Sequence, residues 1–443
     1  MDISVIGLGK LGLCTAACFA ASGHSVVGYD QSEHLRLELQ MGRCPIDETG
    51  LPELLEKAGA NLQIAATCSE AVERSDATLI IVPTPSADNG CFTNQYLLRV
   101  LTEMAPALKG KPDFHIVNVV STVMPGSSEQ EFIPLLESLT GKRCGIDFGV
   151  VYNPEFIALG SVIRDFLNPD MVLIGASDQR SAKNIQELYE STCQSSPSFQ
   201  VMSLINAEIT KISLNCFVTM KISYANALAD ICERVPGADV DTITQAIGSD
   251  SRVGRKYLKG GIGFGGPCFP RDNIAFQAFA EQFGAEALLG KAVVSVNNSI
   301  PQRLLGKIST HCTPPAEVVL LGMSYKADTA IVEESQAVML AHLLVGAGYS
   351  VTVHDPRALE AVRQLLGDTV TYCNDPYQAA VGAKAIILLT DWPEYRELDW
   401  TRIEAQSSTA CLLLDAWRTA PMAAAAGLLY SPVGVNTRHE AQI

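Results

Sequence analysis

The chain has 443 residues, 47% of them hydrophobic and 18% charged, a composition typical of a well-packed globular enzyme with two or three domains. Its formal net charge of −16 argues against non-specific nucleic-acid binding, which needs basic patches, and no apolar run reaches the roughly 18–20 residues of a membrane span. The 13 scattered cysteines, without a CxxC pair or a secretory leader, predict reduced thiols in a cytoplasmic protein, and the seven dispersed histidines predict no metal site.

The first thirty residues have the pattern of a dinucleotide-binding βαβ unit. A strand from Ile3 to Ile6 runs into Gly7-Leu8-Gly9-Lys10-Leu11-Gly12, and an apolar helix from Leu13 to Ser22 leads to a second strand, which begins at Ser25 and ends at Asp30. The glycines allow a tight turn and close approach of a pyrophosphate, whose charge the helix N-terminus favours. Asp30 can accept from ribose hydroxyls and would repel a 2′-phosphate, so the pattern predicts NAD rather than NADP.

Three further apolar runs are predicted to be buried parallel strands. They extend from Thr78 to Val82, from Ile116 to Val120 and from Val150 to Tyr152. Since ligands of such sheets bind at the carboxyl ends of the strands, we expect the residues that follow these runs to face one crevice. Those residues are Thr84, Thr122 and Glu155.

A long helix is predicted from Asn206 to about Val235, where Pro236-Gly237 stops it. Glu208, Lys211 and Asn215 lie at i, i+3 and i+7 and share one face. A solvated polar stripe is one interpretation. The apolar residues around these three favour the other, in which they line a pocket.

The segment Gly263-Phe264-Gly265-Gly266-Pro267-Cys268-Phe269-Pro270-Arg271-Asp272 places one thiol in a glycine-rich turn, with a carboxylate four residues on. Glycines let a ligand approach main-chain amides closely, and a thiol becomes a nucleophile where cations or helix dipoles favour its thiolate. A structural turn with a buried cysteine is the alternative. A reactive cysteine and a dinucleotide site in one chain suggest oxidation through a thiol-bound intermediate.

The C-terminal third has the architecture of the first third. Strands are predicted from Val318 to Gly322, from Ser350 to His354 and from Ala385 to Thr390, with a helix from Ser335 to Val345. This unit lacks GxGxxG, and Ser324-Tyr325-Lys326 stands in place of the glycine turn. The fold class predicted for the chain is therefore α/β, with two Rossmann-like doubly wound domains joined by a long central helix.

The motifs GLGKLG, VPTPS, STVMPG, NPEF, GFGGPCFPRD and GMSYK follow one another in this order, with the polar helix before the cysteine segment. Over nearly its whole length the chain thus resembles the UDP-glucose/GDP-mannose dehydrogenase family. The resemblance implies an NAD-binding Rossmann domain at 1–203, a central helical dimerisation and catalytic-loop domain at 204–300, and a C-terminal Rossmann-like UDP-sugar-binding domain at 301–443. It also implies a homodimer or a dimer-based oligomer.

The chemistry implied by the resemblance is a four-electron oxidation of a nucleotide-sugar C6 alcohol to the carboxylate with two NAD+. Cys268 would carry the thiohemiacetal and the thioester, Lys211 and Asn215 would stabilise oxyanion character at C6, and Asp272 and Glu155 would be the acid–base and water-positioning carboxylates. Thr122 completes the catalytic set. The cofactor-binding residues implied are Gly7, Leu8, Gly9, Lys10, Leu11, Gly12, Asp30, Thr84, Ser121 and Thr122. The substrate-binding residues implied are Glu155, Phe156, Lys211, Asn215, Arg252, Tyr257, Lys259, Phe264, Gly265, Tyr325 and Lys326, with Arg252 reaching the substrate of a neighbouring subunit.

The cysteine segment favours UDP-glucose, oxidised to UDP-glucuronate, because the GDP-mannose branch tends to carry Leu after the cysteine and the N-acetylhexosamine branch a His in this loop. GDP-mannose and UDP-N-acetylhexosamines stay open as substrates. Two other classes of function are a nucleotide-sugar binding protein without oxidising activity and a two-electron hydroxyacid dehydrogenase, which has no use for Cys268 or for a second Rossmann-like unit. The chain departs from the family pattern at Lys10, Leu159, Glu333-Glu334-Ser335 and Asp415-Ala416-Trp417-Arg418.

Overall fold

A computed structural model describes residues 1–157 and 160–436 of the chain. Leu159, one of the departures from the family pattern, lies outside the described residues. The chain divides into two compact units, Met1–Ser213 and Leu214–Ile443. Each unit is built around one sheet.

The sheet of the first unit has eight strands in the order β3-β2-β1-β4-β5-β6-β7-β8. The strands are β1 Asp2–Ile6, β2 Ser25–Tyr29, β3 Leu62–Ile64, β4 Ala77–Ile80, β5 His115–Val119, β6 Phe148–Tyr152, β7 Met171–Ala176 and β8 Ser198–Met202. Neighbouring strands pair in parallel, apart from β6 and β7, which are antiparallel. Every residue of β4, β5 and β6 is buried, as expected for parallel strands covered on both faces.

Helices cover both faces of this sheet and bury two hydrophobic clusters against it. They are α1 Lys10–Ala21, α2 Glu33–Gln40, α3 Leu51–Ala58, α4 Cys68–Glu73, α5 Gln95–Gly110, α6 Ile133–Thr140, α7 Val162–Leu167 and α8 Gln179–Glu190. A π-helical turn, Ser128–Phe132, leads into α6. The 31-residue helix α9, Leu204–Arg234, then runs from the first unit into the second.

The second unit begins with further helices and continues into a six-stranded sheet. The helices are α10 Val240–Ser249, α11 Phe269–Gln282, α12 Leu288–His311, α13 Gln336–Gly346, α14 Leu359–Leu366, α15 Pro376–Ala379, α16 Pro393–Arg396 and α17 Trp400–Gln406. The strands are β9 Glu317–Leu321, β10 Ser350–His354, β11 Thr371–Tyr372, β12 Ala385–Leu388, β13 Leu412–Asp415 and β14 Leu429–Pro432. Their order is β11-β10-β9-β12-β13-β14, and all of these pairs are parallel.

The predicted fold class is confirmed, because both sheets are doubly wound and α9 links them. Element ends differ from the prediction by a few residues. The run from Thr78 ends as a strand at Ile80, since the amide of Val82 donates to the hydroxyl of Ser121 at 2.9 Å. Helix α1 begins before Leu13, since the amide of Leu13 donates to the carbonyl of Gly9 at 2.9 Å. The three-domain division at 203 and 300 stays a prediction.

Candidate active site

The glycine turn of the first unit is shaped by close backbone packing. Gly7 follows β1 with φ +95°, and a Cβ there would overlap the carbonyl oxygen of Ile81, which follows β4. A Cβ on Gly12 would overlap the carbonyl of Gly7, whereas a Cβ on Gly9 would meet nothing within 4 Å. Gly7 and Gly12 therefore close the turn. Gly9, at the N-cap of α1, leaves an open cradle that fits a dinucleotide pyrophosphate.

Asp30, just after β2, is held against this turn. Its carboxylate accepts from the amides of Leu8 and Ser32, each at 2.8 Å. The residue is half-buried, so the carboxylate remains at the edge where an adenosine ribose is expected.

Lys10, the first residue of α1, forms an ion pair with Glu48 at 3.0 Å. The Glu48 side chain has no exposed surface, and its other oxygen accepts from the amide of Val162 at 3.0 Å. Glu48 thus ties the glycine turn to the start of α7, a contact that no sequence motif indicated.

The loops that follow β4 and β5 contact each other, while a crevice shared by Thr84, Thr122 and Glu155 stays a prediction. Thr84 donates to the carbonyl of Thr122 at 2.6 Å, and Ser121 donates to the carbonyl of Val82 at 2.7 Å. Ile81, in the same loop as Thr84, donates its amide hydrogen to the carbonyl of Ile6 at 2.8 Å. Ile6 ends the strand that leads into the glycine turn, so the polar loop residues lie beside that turn.

Glu155 and Lys211 meet within the first unit. The Lys211 ammonium donates to the carbonyl of Glu155 and lies 4.4 Å from the centre of the Phe156 ring. The Glu155 carboxylate accepts from the hydroxyl of Tyr189 at 2.6 Å. Burial raises the pKa of Glu155 to about 7, although the Tyr189 hydroxyl and the Lys211 charge oppose the shift. Such a carboxyl group can exchange a proton near neutral pH.

Glu208, predicted on the same helical face as Lys211, has a structural role. Its carboxylate is fully buried and accepts from the amides of Gly126 at 2.6 Å and Ser128 at 2.9 Å. It therefore fixes the turn that precedes the π-helical segment.

Cys268 lies at the N-cap of the 14-residue helix α11 and is exposed, while the other twelve cysteines are buried or half-buried. The N-terminal end of a helix favours negative charge, so this position suits a thiolate. Asp272 follows one turn later and is 1% exposed. Its amide donates to the Cys268 carbonyl at 2.9 Å, the regular helical bond.

Three hydrogen bonds join α11 to α9, the weakest of them from the Cys216 thiol to the carbonyl of Asp272 at 3.7 Å. Asn215 donates to the Asp272 carboxylate at 2.6 Å, and Asn273 donates to the Thr219 hydroxyl at 2.9 Å. Arg271 also lies near Asp272, with an N–O separation of 3.7 Å. The predicted group of Cys268, Asn215 and Asp272 is thus gathered on two packed helices of the second unit.

The glycines before Cys268 pack against the loop that follows β9. The amide of Gly266 donates to the carbonyl of Glu333 at 2.9 Å, and a Cβ on Gly265 would overlap the carbonyl of Glu334. Tyr325 lies against Gly266, where an added Cβ would be 2.6 Å from its ring. Burial and then the charge of Cys268 raise the pKa of Tyr325 to about 12.

Among the other predicted substrate residues, Tyr257 and Phe264 lie beside the residue that follows Cys268, and Arg252 lies on a separate exposed turn. Tyr257 and Phe264 each make an edge-on contact with Phe269, with ring centres 6.3 Å apart. Lys326 lies 5.9 Å from the Tyr325 ring centre. Arg252 is on an exposed turn and pairs with Asp250 of its own chain at 2.6 Å, so its reach into a neighbouring subunit stays a prediction.

A small cavity lies at the carboxyl ends of β9 and β12, where the strand order of the second sheet reverses. It is lined by the cysteine loop, the turn after β9 and the start of α13. Crevices at this position of an α/β sheet bind nucleotides. Over the described ranges of both units, no group of three or more His, Cys, Asp or Glu side chains could hold a metal ion, and no helix is long and apolar enough to cross a membrane.

A glycine turn between the first strand and the first helix of a doubly wound sheet is typical of NAD-binding oxidoreductases. The chain belongs to the UDP-glucose/GDP-mannose dehydrogenase family, whose NAD binding domain matches residues 1–193, central domain residues 205–299 and UDP binding domain residues 319–420.

Named relatives match 80% or more of the chain. It is 35% identical over 402 residues to the UDP-glucose 6-dehydrogenase AglM of Haloferax volcanii, covering 90% of this chain and 93% of the relative. It is 34% identical over 359 residues to the GDP-mannose 6-dehydrogenase of Pseudomonas savastanoi pv. phaseolicola, covering 80% and 81% of the two chains. The solved structure of a UDP-glucose dehydrogenase from Pyrobaculum islandicum superimposes with a TM-score of 0.87 at 36% identity, covering 98% of each chain. The protein is therefore an NAD-dependent nucleotide-sugar dehydrogenase of this family.

Proposed function

We propose that the protein oxidises UDP-glucose to UDP-glucuronate at C6, with two NAD+ consumed per sugar. The observation that carries the proposal is the exposed Cys268 at the N-cap of α11, one turn before a buried Asp272 that Asn215 binds at 2.6 Å. A two-electron dehydrogenase has no use for this thiol.

The first unit binds the cofactor in this proposal. The open side of Gly9 and the N-terminus of α1 take the pyrophosphate, and Asp30 accepts from the adenosine ribose. NAD+, when bound, accepts one hydride at each of the two oxidations. Thr84, Ser121 and Thr122 border the cofactor, in the loops that follow β4 and β5.

Cys268 holds the aldehyde between the two oxidations. Loss of a hydride and a proton from the C6 alcohol gives the aldehyde. The thiol sulfur bonds to C6, and a proton goes to the oxygen, which forms a thiohemiacetal. Loss of the second hydride and a proton leaves a thioester, and water then adds to C6 while the C–S bond breaks and the thiol is restored. The covalent bond prevents the reactive aldehyde from diffusing away.

Four polar residues support these steps. We assign oxyanion stabilisation at C6 to the Lys211 ammonium and the Asn215 amide, which lie one turn apart on α9. Glu155 and Asp272 are the carboxylates for proton transfer and for positioning water. With a pKa of about 7, Glu155 is suited to accept a proton from water during thioester hydrolysis.

UDP-glucose is favoured over GDP-mannose by the Phe-Gly-Gly-Pro-Cys-Phe-Pro form of the cysteine segment. The UDP binding domain that matches residues 319–420 is consistent with a UDP-sugar. A GDP-mannose 6-dehydrogenase is nearly as similar to the chain as the UDP-glucose enzymes are, so GDP-mannose is the alternative to test.

We also propose that two copies of the chain associate through α9. Phe217, Tyr224 and Ile231 lie seven residues apart along this helix and are 56%, 52% and 55% exposed, so they form one apolar stripe. A second copy of the same helix would cover it. The cytoplasm is the proposed location, because the buried thiols of Cys14 and Cys18 suit a reducing compartment.

A substrate panel tests the proposal. The purified protein is incubated with excess NAD+ and a limiting amount of UDP-glucose, GDP-mannose, UDP-GlcNAc or UDP-ManNAc, and NADH is counted per sugar consumed. We expect about two NADH per UDP-glucose and much slower turnover of the other sugars. One NADH per sugar would contradict four-electron oxidation, and faster turnover of GDP-mannose would replace the substrate but keep the chemistry.

A further inference from the structure

Arg418, which follows β13 of the second sheet, is fully committed to the fold. Arg418 binds both oxygens of Asp241, at 2.6 and 2.8 Å, and donates to the carbonyls of Ala416, Gly260 and Val433. Its side chain is 9% exposed. The guanidinium therefore has no N–H direction left for a ligand phosphate, and another cation must meet that charge.

Lys259 is such a cation. It precedes the glycine-rich cysteine loop, is exposed, and places its ammonium 5.3 Å from the centre of the Trp417 ring. An ammonium at this distance from an indole face is attracted by the ring quadrupole, and the indole restricts a side chain that is otherwise flexible.

Trp417 is held by one hydrogen bond from its indole and one from its backbone. Its Nε1 donates to the carbonyl of Leu389 at 2.8 Å, and the Trp417 amide donates to Asp415 at 3.0 Å. The ring also lies 3.5 Å from the position of a Cβ on Gly261. Leu389 follows β12 and lines the cavity at the reversal of strand order. The indole is thus anchored to the wall of the nucleotide crevice, and it remains half-buried rather than enclosed.

We propose that Trp417 is a positioning residue for substrate binding, which holds the Lys259 ammonium toward the diphosphate of a nucleoside diphosphate sugar. The inference deepens the proposed function and rests on it, since it requires a nucleotide in the second unit. Binding of the diphosphate is electrostatic, so loss of the indole lowers substrate affinity and leaves the chemistry at C6 unchanged.

The test is a double-mutant cycle on UDP binding, measured by titration calorimetry with W417L, W417F, K259M and W417L/K259M. We expect W417L to weaken UDP binding about three- to tenfold and W417F less than about threefold, because phenylalanine keeps an aromatic face. The double variant should bind no more weakly than K259M, since Trp417 acts through Lys259. The KM for the sugar nucleotide should rise with the Kd, while kcat and the Kd for NAD+ stay within about twofold.

Fluorescence gives an independent readout. The chain has three tryptophans, and Trp392 and Trp400 are 1% and 4% exposed. Saturating UDP should change the emission of the wild type, and W417F should show a smaller change, the remainder coming from Trp392, which donates to Ser324 in the cavity wall. W400F, a change at a tryptophan away from the crevice, is the control and should bind UDP as the wild type does.

Two results would overturn the inference. One is UDP binding by W417L as tight as by the wild type. The other is additive losses in W417L and K259M. Failure of the proposed function is distinguishable, because then the wild type itself binds no UDP and oxidises no UDP-sugar.

Discussion

Among single residues, Glu155 has an environment that brings the pKa of its carboxyl group close to neutral pH. Burial disfavours the ionised carboxylate of this half-buried residue, whereas the Tyr189 hydroxyl and the Lys211 charge favour it. Tyr189 is 1% exposed and packs edge-on against Phe19, with ring centres 5.6 Å apart, so the hydrogen bond it donates is held in place by the core. The balance of these effects brings the pKa of Glu155 to about 7.

The pKa of Glu155 predicts the pH dependence of turnover. If the ionised carboxylate is the base, kcat rises as pH increases through about 7. Tyr189→Phe removes a hydrogen bond to the ionised form, so the pKa rises and the limb of the pH–kcat profile moves to higher pH. Steady-state kinetics from pH 5.5 to 9 on the wild type and this variant measure the shift.

Tyr349→Phe is the matched control, since this tyrosine donates to a carbonyl in the second unit and should leave the limb unmoved. Glu155→Gln should abolish the limb. In the folded protein the pKa of Glu155 is raised from 4.5, so the unfolded chain loses this proton at a lower pH than the folded chain does. The stability of the wild type therefore falls as pH rises from about 4.5 to 7, and the Glu155→Gln variant lacks that decrease. A limb shifted to lower pH by Tyr189→Phe would contradict the account.

Among the elements of the fold, the turn between β1 and α1 contains one glycine that the backbone packing requires and one that leaves space for a ligand. Gly12 is required by the fold, because a Cβ would overlap the carbonyl of Gly7. Gly9 has φ −63° and open space around its Cα, so an alanine there is compatible with the backbone and fills only the cradle assigned to the pyrophosphate.

Paired alanine variants test this separation. Gly12→Ala should destabilise the protein by about 1–3 kcal/mol through overpacking. Gly9→Ala should cost less than about 1 kcal/mol and yet weaken NAD+ binding by about tenfold or more. Urea unfolding and NAD+ calorimetry measure the two effects, with Gly306→Ala, also at an open position, as the control. Normal NAD+ affinity in Gly9→Ala would show that the cofactor lies elsewhere.

Elements were largely predictable from sequence, whereas their contacts were not. Apolar runs located the strands around Thr78 and Ile116, because a strand buried on both faces must be continuously apolar. No sequence pattern indicated that β7 pairs with β6 in the antiparallel direction. The pairing of Glu155 with Tyr189 joins residues 34 apart, and that of Lys259 with Trp417 joins residues 158 apart, so tertiary packing alone decides both. The grouping of Asn215 with Cys268 and Asp272 was implied by the family resemblance alone, since Asn215 lies on another helix, 53 residues before Cys268.

In the molecule as a whole, the two sheets share one feature, an aspartate that binds the turn after the first strand. In the first unit an aspartate after the second strand binds the turn that follows the first strand, through Asp30 and Leu8. In the second unit Asp355 does the same, with one oxygen accepting from Met323 and Ser324, and it is 3% exposed. The two aspartates differ in burial, so Asp30 can still meet a ribose while Asp355 serves the fold.

The apolar stripe on α9 predicts the assembly. Charged substitutions at Phe217 and Ile231 place carboxylates where a second helix is expected to pack, and the double variant F217E/I231E should be a monomer. Light scattering coupled to size exclusion should give about twice the chain mass of 47.5 kDa for the wild type and one chain mass for the variant. Val381, which is 60% exposed outside the stripe, supplies the control V381E. A variant that keeps the wild-type mass would place the interface elsewhere.

The proposed chemistry depends on Cys268, which carries the sugar between the two oxidations. The most direct measurement compares wild-type protein with Cys268→Ser and Cys312→Ser, supplied with UDP-glucose and excess NAD+, for NADH and UDP-glucuronate formed per minute. We expect about two NADH per uronate for the wild type and for the variant of the half-buried Cys312. For Cys268→Ser we expect a fall in uronate formation of about a thousandfold or more. Uronate formation by Cys268→Ser at the wild-type rate, with the same two NADH, would contradict the proposed chemistry.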